Sequence, residues 1–460
     1  MRVLFIEPPG RYLRTMGSLG RHKADFLWQP FDHLVAAGYM RKELQYVDFE
    51  ILDARDESYE YVKKCVEKYE PDVVVFNTCV TSINLDMRVA DIAKNVDESV
   101  KTVIMGQVVG PLVEHVMKNK NIDFAIIDPE PEYALMELIK TEFKPKTGVA
   151  YRENGKIVRL PQSPKINIEE LGFPAHDKVD NSRYYDILQR RKPFALVYGS
   201  RGCRYGLCTF CSCPAFYKPV RLRSVDLIIK ELKWITKDFG IRDVKWWDAE
   251  INQNPVWCKK LFTKMIREKI DLTWQANFRA DFAPMWLLKL MKKAGCYHLS
   301  IGLESADQRI LNNVKKGITP EMVKKVVKKL DSVGIDYSVY SLIGLPGETE
   351  ETIIKTFKFV SSLGCAGTFG IAVPNPGTEF YEWIVRKGYL KTEDYSKFDT
   401  DMQPVYDYPE ISSERMFELR NKLCRKHFFS IGFVMKCLRQ VRNFEQLKRF
   451  MKTSVKIFIR

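Results

Sequence analysis

Short apolar runs alternate with segments of helical spacing over residues 1–145 of this 460-residue chain. The runs predict strands, and the segments between them predict helices at about 31–44, 57–69, 84–95, 110–119 and 131–141. The predicted strands are 2–7, 48–54, 72–78, 102–107 and 123–128. Because strands that alternate with helices pair in parallel through right-handed crossovers, the pattern predicts an α/β fold with a doubly wound sheet.

Five parallel strands of this kind form a flavodoxin-like (Rossmann-like) domain, which binds ligands beyond the carboxyl ends of its strands. A second series follows a polar, proline-containing linker with a short strand near 148–159. Its predicted strands are 195–199, 243–247, 271–276, 297–302, 336–343 and 367–373, with helices at about 222–239, 255–269, 283–294, 319–333 and 349–363. Six strands predict a partial (β/α)6 barrel rather than a closed barrel of eight.

The predicted organisation therefore has four parts. Residues 1–145 form the first α/β domain, 146–194 the linker, 195–380 the partial barrel and 381–460 a helical, basic C-terminal region. The N-terminus is too short in apolar residues for a signal peptide, and no run of apolar residues is long enough to span a membrane. We expect a cytoplasmic protein.

Charge is concentrated at the C-terminus. The net charge is +15, and residues 411–460 hold 13 Lys and Arg against 3 Asp and Glu. Such a region favours an anionic or acidic substrate or another anionic partner, including nucleic acid, and a solvated lysine-rich surface is the alternative.

Four of the eleven cysteines lie between Cys203 and Cys213, on the loop after the first predicted barrel strand. Three clustered thiolates can bind three irons of a 4Fe–4S cluster and leave the fourth iron open. A zinc site that includes Cys213 is the alternative, since Cys-x2-Cys also suits zinc.

The stretch SRGCRYGLCTFC resembles the cluster loop of radical S-adenosylmethionine (SAM) enzymes. Most members have Cys-x3-Cys-x2-Cys, whereas this chain has Cys-x4-Cys-x2-Cys, as if Leu207 were inserted. The resemblance implies that Cys203, Cys208 and Cys211 bind the 4Fe–4S cluster, with the role of Cys213 open. Phe210 matches the aromatic residue that precedes the third cysteine in this family.

Further segments resemble the same family in order along the chain. WWDAEINQNP (246–255) matches a strand end that contacts the SAM amino group, which implicates Asp248 and Glu250. ANFRAD (276–281) implicates Arg279 as a partner of the SAM carboxylate, and HLSIGLESADQRIL (298–311) implicates Glu304 as a polar contact to SAM. SLIGLPGET (341–349) and VPNPGTEFY (373–381) match later strand ends.

A flavodoxin-like domain before such a barrel resembles the cobalamin-binding radical SAM enzymes. The family's cobalamin contacts lie at the strand ends of this domain, where the chain has Pro8, Pro9, Thr78, Val80, Thr81, Gly106, Gln107, Val108 and Glu130. No Asp-x-His-x-x-Gly motif is present, so no histidine of that motif supplies a lower cobalt ligand.

The resemblance implies an enzyme that reductively cleaves SAM to a 5′-deoxyadenosyl radical with electrons from a donor such as flavodoxin or ferredoxin. A cobalamin-dependent methyltransferase acting on an unactivated carbon is the leading hypothesis. The alternatives are tRNA methylthiolation, oxidative cyclisation or carbon–carbon coupling on the same architecture, and a non-catalytic Fe–S or zinc protein. Methylthiotransferases carry three cysteines in their first domain, whereas this chain has only Cys65 and Cys79 there.

Overall fold

The computed structural model describes residues 1–10, 26–217 and 219–428. They divide into two compact units, one formed by residues 1–10 and 29–180 and the other by residues 26–28 and 181–428. The predicted linker is therefore divided between the units, since its residues up to Asp180 belong to the first. The last part of the predicted C-terminal region, 429–460, lies outside the described residues.

The first unit is an α/β sheet. Its strands are β1 (Arg2–Glu7), β2 (Asp48–Asp53), β3 (Val73–Asn77), β4 (Lys101–Met105), β5 (Phe124–Ile126), β6 (Val149–Glu153) and β7 (Lys156–Arg159). Its helices are α1 (Phe31–Glu43), α2 (Tyr59–Tyr69), α3 (Ile83–Asp86), α4 (Arg88–Val96), α5 (Val113–Val116) and α6 (Pro131–Lys140). Every predicted strand and helix of 1–145 has an observed counterpart.

The strand order is β2-β1-β3-β4-β5-β6-β7. The first five strands are parallel, and β1 lies beside β3 at the reversal of strand order that creates a ligand crevice in doubly wound sheets. Strands β6 and β7 extend the sheet in antiparallel fashion. The predicted short strand near 148–159 is thus a hairpin of the sheet, turned at Asn154 and Gly155, which both have positive φ. Asn-Gly is the preferred pair for such a turn.

The second unit contains the predicted second series. Its strands are β8 (Phe194–Val197), β9 (Ser200–Arg201), β10 (Arg221–Leu222), β11 (Asp243–Trp246), β12 (Thr273–Phe278), β13 (Cys296–Glu304), β14 (Asp336–Ile343) and β15 (Ala366–Ile371). Its helices are α7 (Ser212–Phe216), α8 (Val225–Asp238), α9 (Pro255–Arg267), α10 (Met285–Lys293), α11 (Gln308–Asn313), α12 (Pro320–Val333), α13 (Glu350–Ser362), α14 (Glu379–Arg386) and α15 (Ser413–Phe428).

Six of these strands form one parallel sheet in the order β8-β11-β12-β13-β14-β15. One face packs against the helices: Trp246 lies edge-on to Trp274, which stacks on Phe262 of α9 at 5.1 Å. The prediction of an α/β fold with a parallel sheet is confirmed. All six carboxyl ends meet at one edge, where ligand-binding loops of such folds lie.

Local sequence signals explain the helix bounds of this unit. Helix α12 begins after Thr319, whose side chain accepts a hydrogen bond from the Met322 amide, with Pro320 in the first turn. It ends at Gly334, which has φ +68.

The C-terminal part is less helical than predicted. Helix α14 ends at Arg386 and α15 begins at Ser413, and the segment between them contains a short helical turn at Tyr395–Lys397 and an isolated bridge between Leu390 and Tyr406. Prolines at 404 and 409 disfavour a continuous helix there. Among the helices that the structure describes, none has the length and apolar character needed to cross a membrane.

Candidate active site

The cysteine loop follows β8 and is closed by the antiparallel pairing of β9 with β10. Cys208 is buried, and Cys203, Cys211 and Cys213 are half-buried. Leu207, the residue that lengthens the cysteine spacing, is 53% exposed. The extra residue is therefore accommodated at the surface of the loop.

Gln253 fastens this loop from the segment after β11. Its Nε2 donates to the Gly202 carbonyl at 2.6 Å and to Ser200 Oγ at 3.2 Å, while its Oε1 accepts from the Arg204 amide at 2.8 Å. The side chain is 3% exposed. A buried amide that satisfies three groups of one loop fixes the backbone around Cys203.

Asp248 also acts on this strand end. Its Oδ2 accepts from the Gly199 amide at 2.9 Å, and its Oδ1 accepts from Ser200 Oγ. Burial raises the pKa of Asp248 to about 6. Both oxygens are thus engaged by the chain itself, so the structure gives Asp248 a positioning role.

Glu250 faces the cysteines directly. Its Oε1 accepts hydrogen bonds from Cys203 Sγ at 3.3 Å and from the Arg204 amide at 3.1 Å. Its Oε2 is buried and has no hydrogen-bond partner among the described residues. An unsatisfied carboxylate oxygen in a site that is 2% exposed is costly unless a ligand supplies a donor. This matches the expectation of an ammonium contact at Glu250.

Two cations lie beside Cys208. Arg279 donates from Nε to Asp281 at 3.0 Å and lies over the ring of Tyr205, with Cζ 3.8 Å from the centroid. Lys316 pairs with Glu304, with Nζ 2.7 Å from Oε1. Burial raises the pKa of the Cys208 thiol, and the charges of Lys316 and Arg279 oppose that rise.

Lys316 was not identified from the sequence. It lies between α11 and α12 in a Lys-Lys-Gly run that has no distinguishing motif. The following residue, Gly317, has φ +67, and a Cβ there would lie 2.2 Å from Tyr205 Oη. Only glycine allows this close approach, and a glycine that follows two lysines was the available signal. Phe210 lies farther out, with its ring centroid 5.9 Å from Lys316 Nζ.

The thiols suit metal ligation better than free ionisation. Burial raises the pKa of Cys203 and raises that of Cys211 to about 12, so both are protonated thiols when no metal replaces the proton. Burial also raises the pKa of Cys213. Within the described ranges, no three His, Cys, Asp or Glu side chains are close enough to hold a single metal ion.

The predicted cobalamin contacts come together at the carboxyl edge of the first sheet, because β1, β3, β4 and β5 are neighbours there. Pro8, Pro9, Thr78, Val80 and Val108 are buried, and Thr81, Gly106, Gln107 and Glu130 are partly exposed. Gly106 has φ +143, and a Cβ there would lie 2.3 Å from the Thr78 carbonyl oxygen. The backbones after β3 and β4 therefore approach each other closely.

Neither histidine near this edge is directed by the chain as a metal ligand. His33 is fully buried on α1, with Nε2 3.1 Å from the Ile6 carbonyl oxygen. His115 on α5 has Nε2 2.6 Å from Asn84 Oδ1, and burial lowers its pKa.

Comparison with known proteins agrees with this geometry. Residues 197–360 match the model of the Radical SAM superfamily. The chain is 30% identical over 442 residues to "Uncharacterized methyltransferase PH0819" of Pyrococcus horikoshii, covering 94% of this chain and 92% of that protein. It is 26% identical to the anaerobic magnesium-protoporphyrin IX monomethyl ester cyclase of Rubrivivax gelatinosus, covering 99% of this chain and 83% of the cyclase.

Solved structures share the fold. The cobalamin-dependent SAM radical enzyme OxsB, with aqua-cobalamin and SAM bound, superposes with a TM-score of 0.74 at 15% identity, over 99% of this chain and 72% of OxsB. The radical SAM methyltransferase TsrM of Kitasatospora setae, with cobalamin and a 4Fe–4S cluster bound, gives 0.67 at 19% identity, over 84% and 75%. The chain therefore belongs to the radical SAM superfamily, whose members use a 4Fe–4S cluster and SAM, as the sequence predicts.

Proposed function

We propose that this chain is a cobalamin-dependent radical SAM methyltransferase that methylates an unactivated carbon. The observation that carries the proposal is the buried cysteine loop with an unpaired Glu250 oxygen in the second unit. The full-length relative from P. horikoshii, named as a methyltransferase, supports methyl transfer over the other outcomes of this architecture.

Bound at these sites, the cluster and SAM supply one-electron chemistry at carbon, and cobalamin supplies a transferable methyl group. Cys203, Cys208 and Cys211 hold the cluster, and Gln253 and Asp248 keep their loop in place. A one-electron donor such as flavodoxin or ferredoxin is required for this chemistry.

The side chains around the loop bind SAM by charge. Glu250 accepts from the amino group, for which its free Oε2 is available. Arg279, held by Asp281 and by the ring of Tyr205, presents a fixed cation to the carboxylate. Glu304 is a polar contact whose own charge is balanced by Lys316. These roles anchor the amino-acid end of SAM beside Cys203 and Cys208.

Cobalamin binds at the carboxyl edge of the first sheet. The close approach of the backbones at Gly106 and Thr78 leaves a surface without a protruding side chain, which suits the flat edge of a corrin. Pro8, Pro9 and Val108 supply apolar contact there, and Glu130 and Gln107 supply polar contact at the rim.

Anaerobic reconstitution with iron, sulfide and cobalamin tests the proposal. The full chain, reduced in the presence of SAM, is expected to release 5′-deoxyadenosine and S-adenosylhomocysteine, the second of which reports methyl donation by SAM. Cys203→Ala, Cys208→Ala and Cys211→Ala each abolish the 5′-deoxyadenosine, whereas Cys213→Ala retains it.

Three outcomes would contradict the proposal in different ways. Deoxyadenosine without S-adenosylhomocysteine would indicate cyclisation or another radical outcome. A zinc content in place of iron would indicate a non-catalytic metal protein. Loss of the cluster in Cys213→Ala but not in Cys208→Ala would overturn the ligand assignment.

A further inference from the structure

The second sheet has a polar face. Side chains alternate across a strand, and Trp246 and Trp274 occupy the helix side. Their neighbours Lys245 and Gln275 therefore point to the opposite side, which we call the inner face. Its other polar members, at the alternate positions of β13, β14 and β15, are His298, Ser300, Ser338, Tyr340 and Thr368. Barrel interiors of this class are mostly filled by branched apolar side chains, so this set calls for a function.

Several of these groups satisfy one another. His298 Nε2 lies 3.1 Å from Ser338 Oγ, and Ser300 Oγ donates to Tyr340 Oη at 3.4 Å. These four residues form two internal pairs. They leave Lys245 and Gln275, which lie directly opposite each other on β11 and β12, as the members to explain.

Lys245 is a buried ammonium. Its residue is 8% exposed, yet Nζ donates no hydrogen bond to any residue that the structure describes, and its nearest carboxylate oxygen, Asp186 Oδ2, is 3.9 Å away. Asp186 is occupied elsewhere, because its oxygens accept from the Trp28 indole and from the Leu188 amide, both at 2.8 Å. Burial lowers the pKa of Lys245, and Asp186 offsets this only in part.

Gln275 provides a second unused donor beside it. The residue is 1% exposed, and its Nε2 has no hydrogen-bond partner among the described residues. Two unsatisfied donors on adjacent strands cost free energy unless a ligand accepts from both. A neutral acceptor would leave the ammonium charge uncompensated, whereas an anionic oxygen group would satisfy the hydrogen bonds and the charge together.

Aromatic rings border the same place. The Trp28 ring centroid lies 4.0 Å from Lys245 Nζ, and Trp247 meets Trp28 edge-on at 5.5 Å between centroids. Trp247 follows β11, lies two residues after Lys245 and is 41% exposed. A ligand whose anionic end reaches Lys245 therefore has a planar apolar surface next to it.

We propose that the inner face binds the substrate through an anionic oxygen group held by Lys245 and Gln275, with a planar apolar body against Trp28 and Trp247. The inference rests on the proposed methyl transfer and deepens it, because it names the chemical class of the substrate. Lys245 and Gln275 are specificity residues here, since they touch the bound group and not the reacting carbon.

Calorimetric titration of the reconstituted full chain tests this with two small probes of the same shape, phenylacetate and phenylacetamide. Phenylacetate is expected to bind at least about tenfold more tightly than the amide. Lys245→Met removes that preference and Lys245→Arg keeps it. Gln275→Glu weakens phenylacetate binding, because it places a carboxylate beside the ammonium. The control Lys237→Met, an exposed lysine on α8, changes neither affinity.

Equal binding of the two probes, no saturable binding of either, or an unchanged preference in Lys245→Met would overturn the inference. Release of 5′-deoxyadenosine and S-adenosylhomocysteine is measured in parallel. A wild-type chain that binds phenylacetate selectively but releases neither product would refute the proposed function alone, whereas an active chain without the preference would refute the substrate class alone.

Discussion

Lys316 and Arg279 are joined through the backbone, since Arg279 Nη2 donates to the Lys316 carbonyl oxygen at 2.6 Å. The ammonium of the same lysine lies 2.7 Å from Glu304 Oε1. One residue between α11 and α12 thus connects two side chains that the sequence predicts as SAM contacts, and it brings a positive charge near Cys208.

Lys316→Met is expected to lower the free energy of unfolding by about 3 kcal/mol, because it leaves the buried Glu304 carboxylate unpaired. It also lowers iron retention, since Cys208 loses a neighbouring cation that favours its thiolate. Iron content per chain and urea unfolding measure the two effects. The adjacent Lys315→Met is the control, because Lys315 pairs with Glu379 at the surface, and it changes stability by no more than about 1 kcal/mol. Equal effects of the two substitutions would contradict the assignment.

The pair Arg223–Glu231 predicts a second stability effect. The two side chains are 1% and 2% exposed, with Nη2 2.5 Å from Oε2. Arg223→Met is expected to cost about 3–5 kcal/mol, because it strands a buried carboxylate, and Arg223→Met combined with Glu231→Leu recovers part of the loss. Arg159→Met, which breaks the exposed pair with Glu114, serves as the comparison at no more than about 1 kcal/mol. A double variant as unstable as the single one would argue against a stranded charge.

Glu348 predicts a dependence of stability on pH. Burial raises the pKa of Glu348 from 4.5 to about 8, and its Oε2 accepts from the Gly344 amide at 2.6 Å. The folded state therefore holds a proton that the unfolded state releases between these values, so stability falls as pH rises through that window. Glu348→Gln removes the titration. Urea unfolding across the window should show the wild type losing up to about 1.4 kcal/mol per pH unit relative to the variant. Parallel pH profiles for the two proteins would disprove the raised pKa.

Gly106 predicts an effect on cobalamin binding. Gly106→Ala places a Cβ against the Thr78 carbonyl oxygen at 2.3 Å, which forces the backbones after β3 and β4 apart. We expect a loss of about 2–3 kcal/mol in stability and a lower cobalamin content per chain. Gly155→Ala is the matched control, because that glycine also has positive φ but has nothing within 4 Å of the added atom. It should lose only about 1 kcal/mol and keep its cobalamin. Retention of cobalamin in Gly106→Ala would remove this edge from the proposed site.

The strands were predictable because their signal is local. Runs such as the four apolar residues of β3 need no knowledge of their neighbours, and alternation with helices implies parallel pairing. The hairpin β6–β7 was only partly identified, although Asn154-Gly155 is a strong turn signal, because the strands around it are half-polar edge strands. The irregular segment between α14 and α15 escaped prediction because its prolines are spaced among ordinary helix-forming residues.

The site was predictable where a motif surrounds it, as for Cys203, Cys208 and Cys211. Lys316 and Lys245 were not identified, because each acquires its role from the register between strands or from a loop that the fold brings near. Asp248 illustrates the reverse case. Its position in the motif suggests a contact to SAM, but hydrogen bonds to Gly199 and Ser200 occupy both of its oxygens.

Phe26, Leu27 and Trp28 belong to the second unit although residues on either side of them in the described chain belong to the first. Leu27 bridges to Tyr185, and the Trp28 indole donates to Asp186. A shortened gene that begins at Asn181 would therefore encode a sheet lacking its own tryptophan and exposing Lys245 to water. Separate production of the two halves calls for a complementing peptide that carries this tripeptide rather than for a single cut.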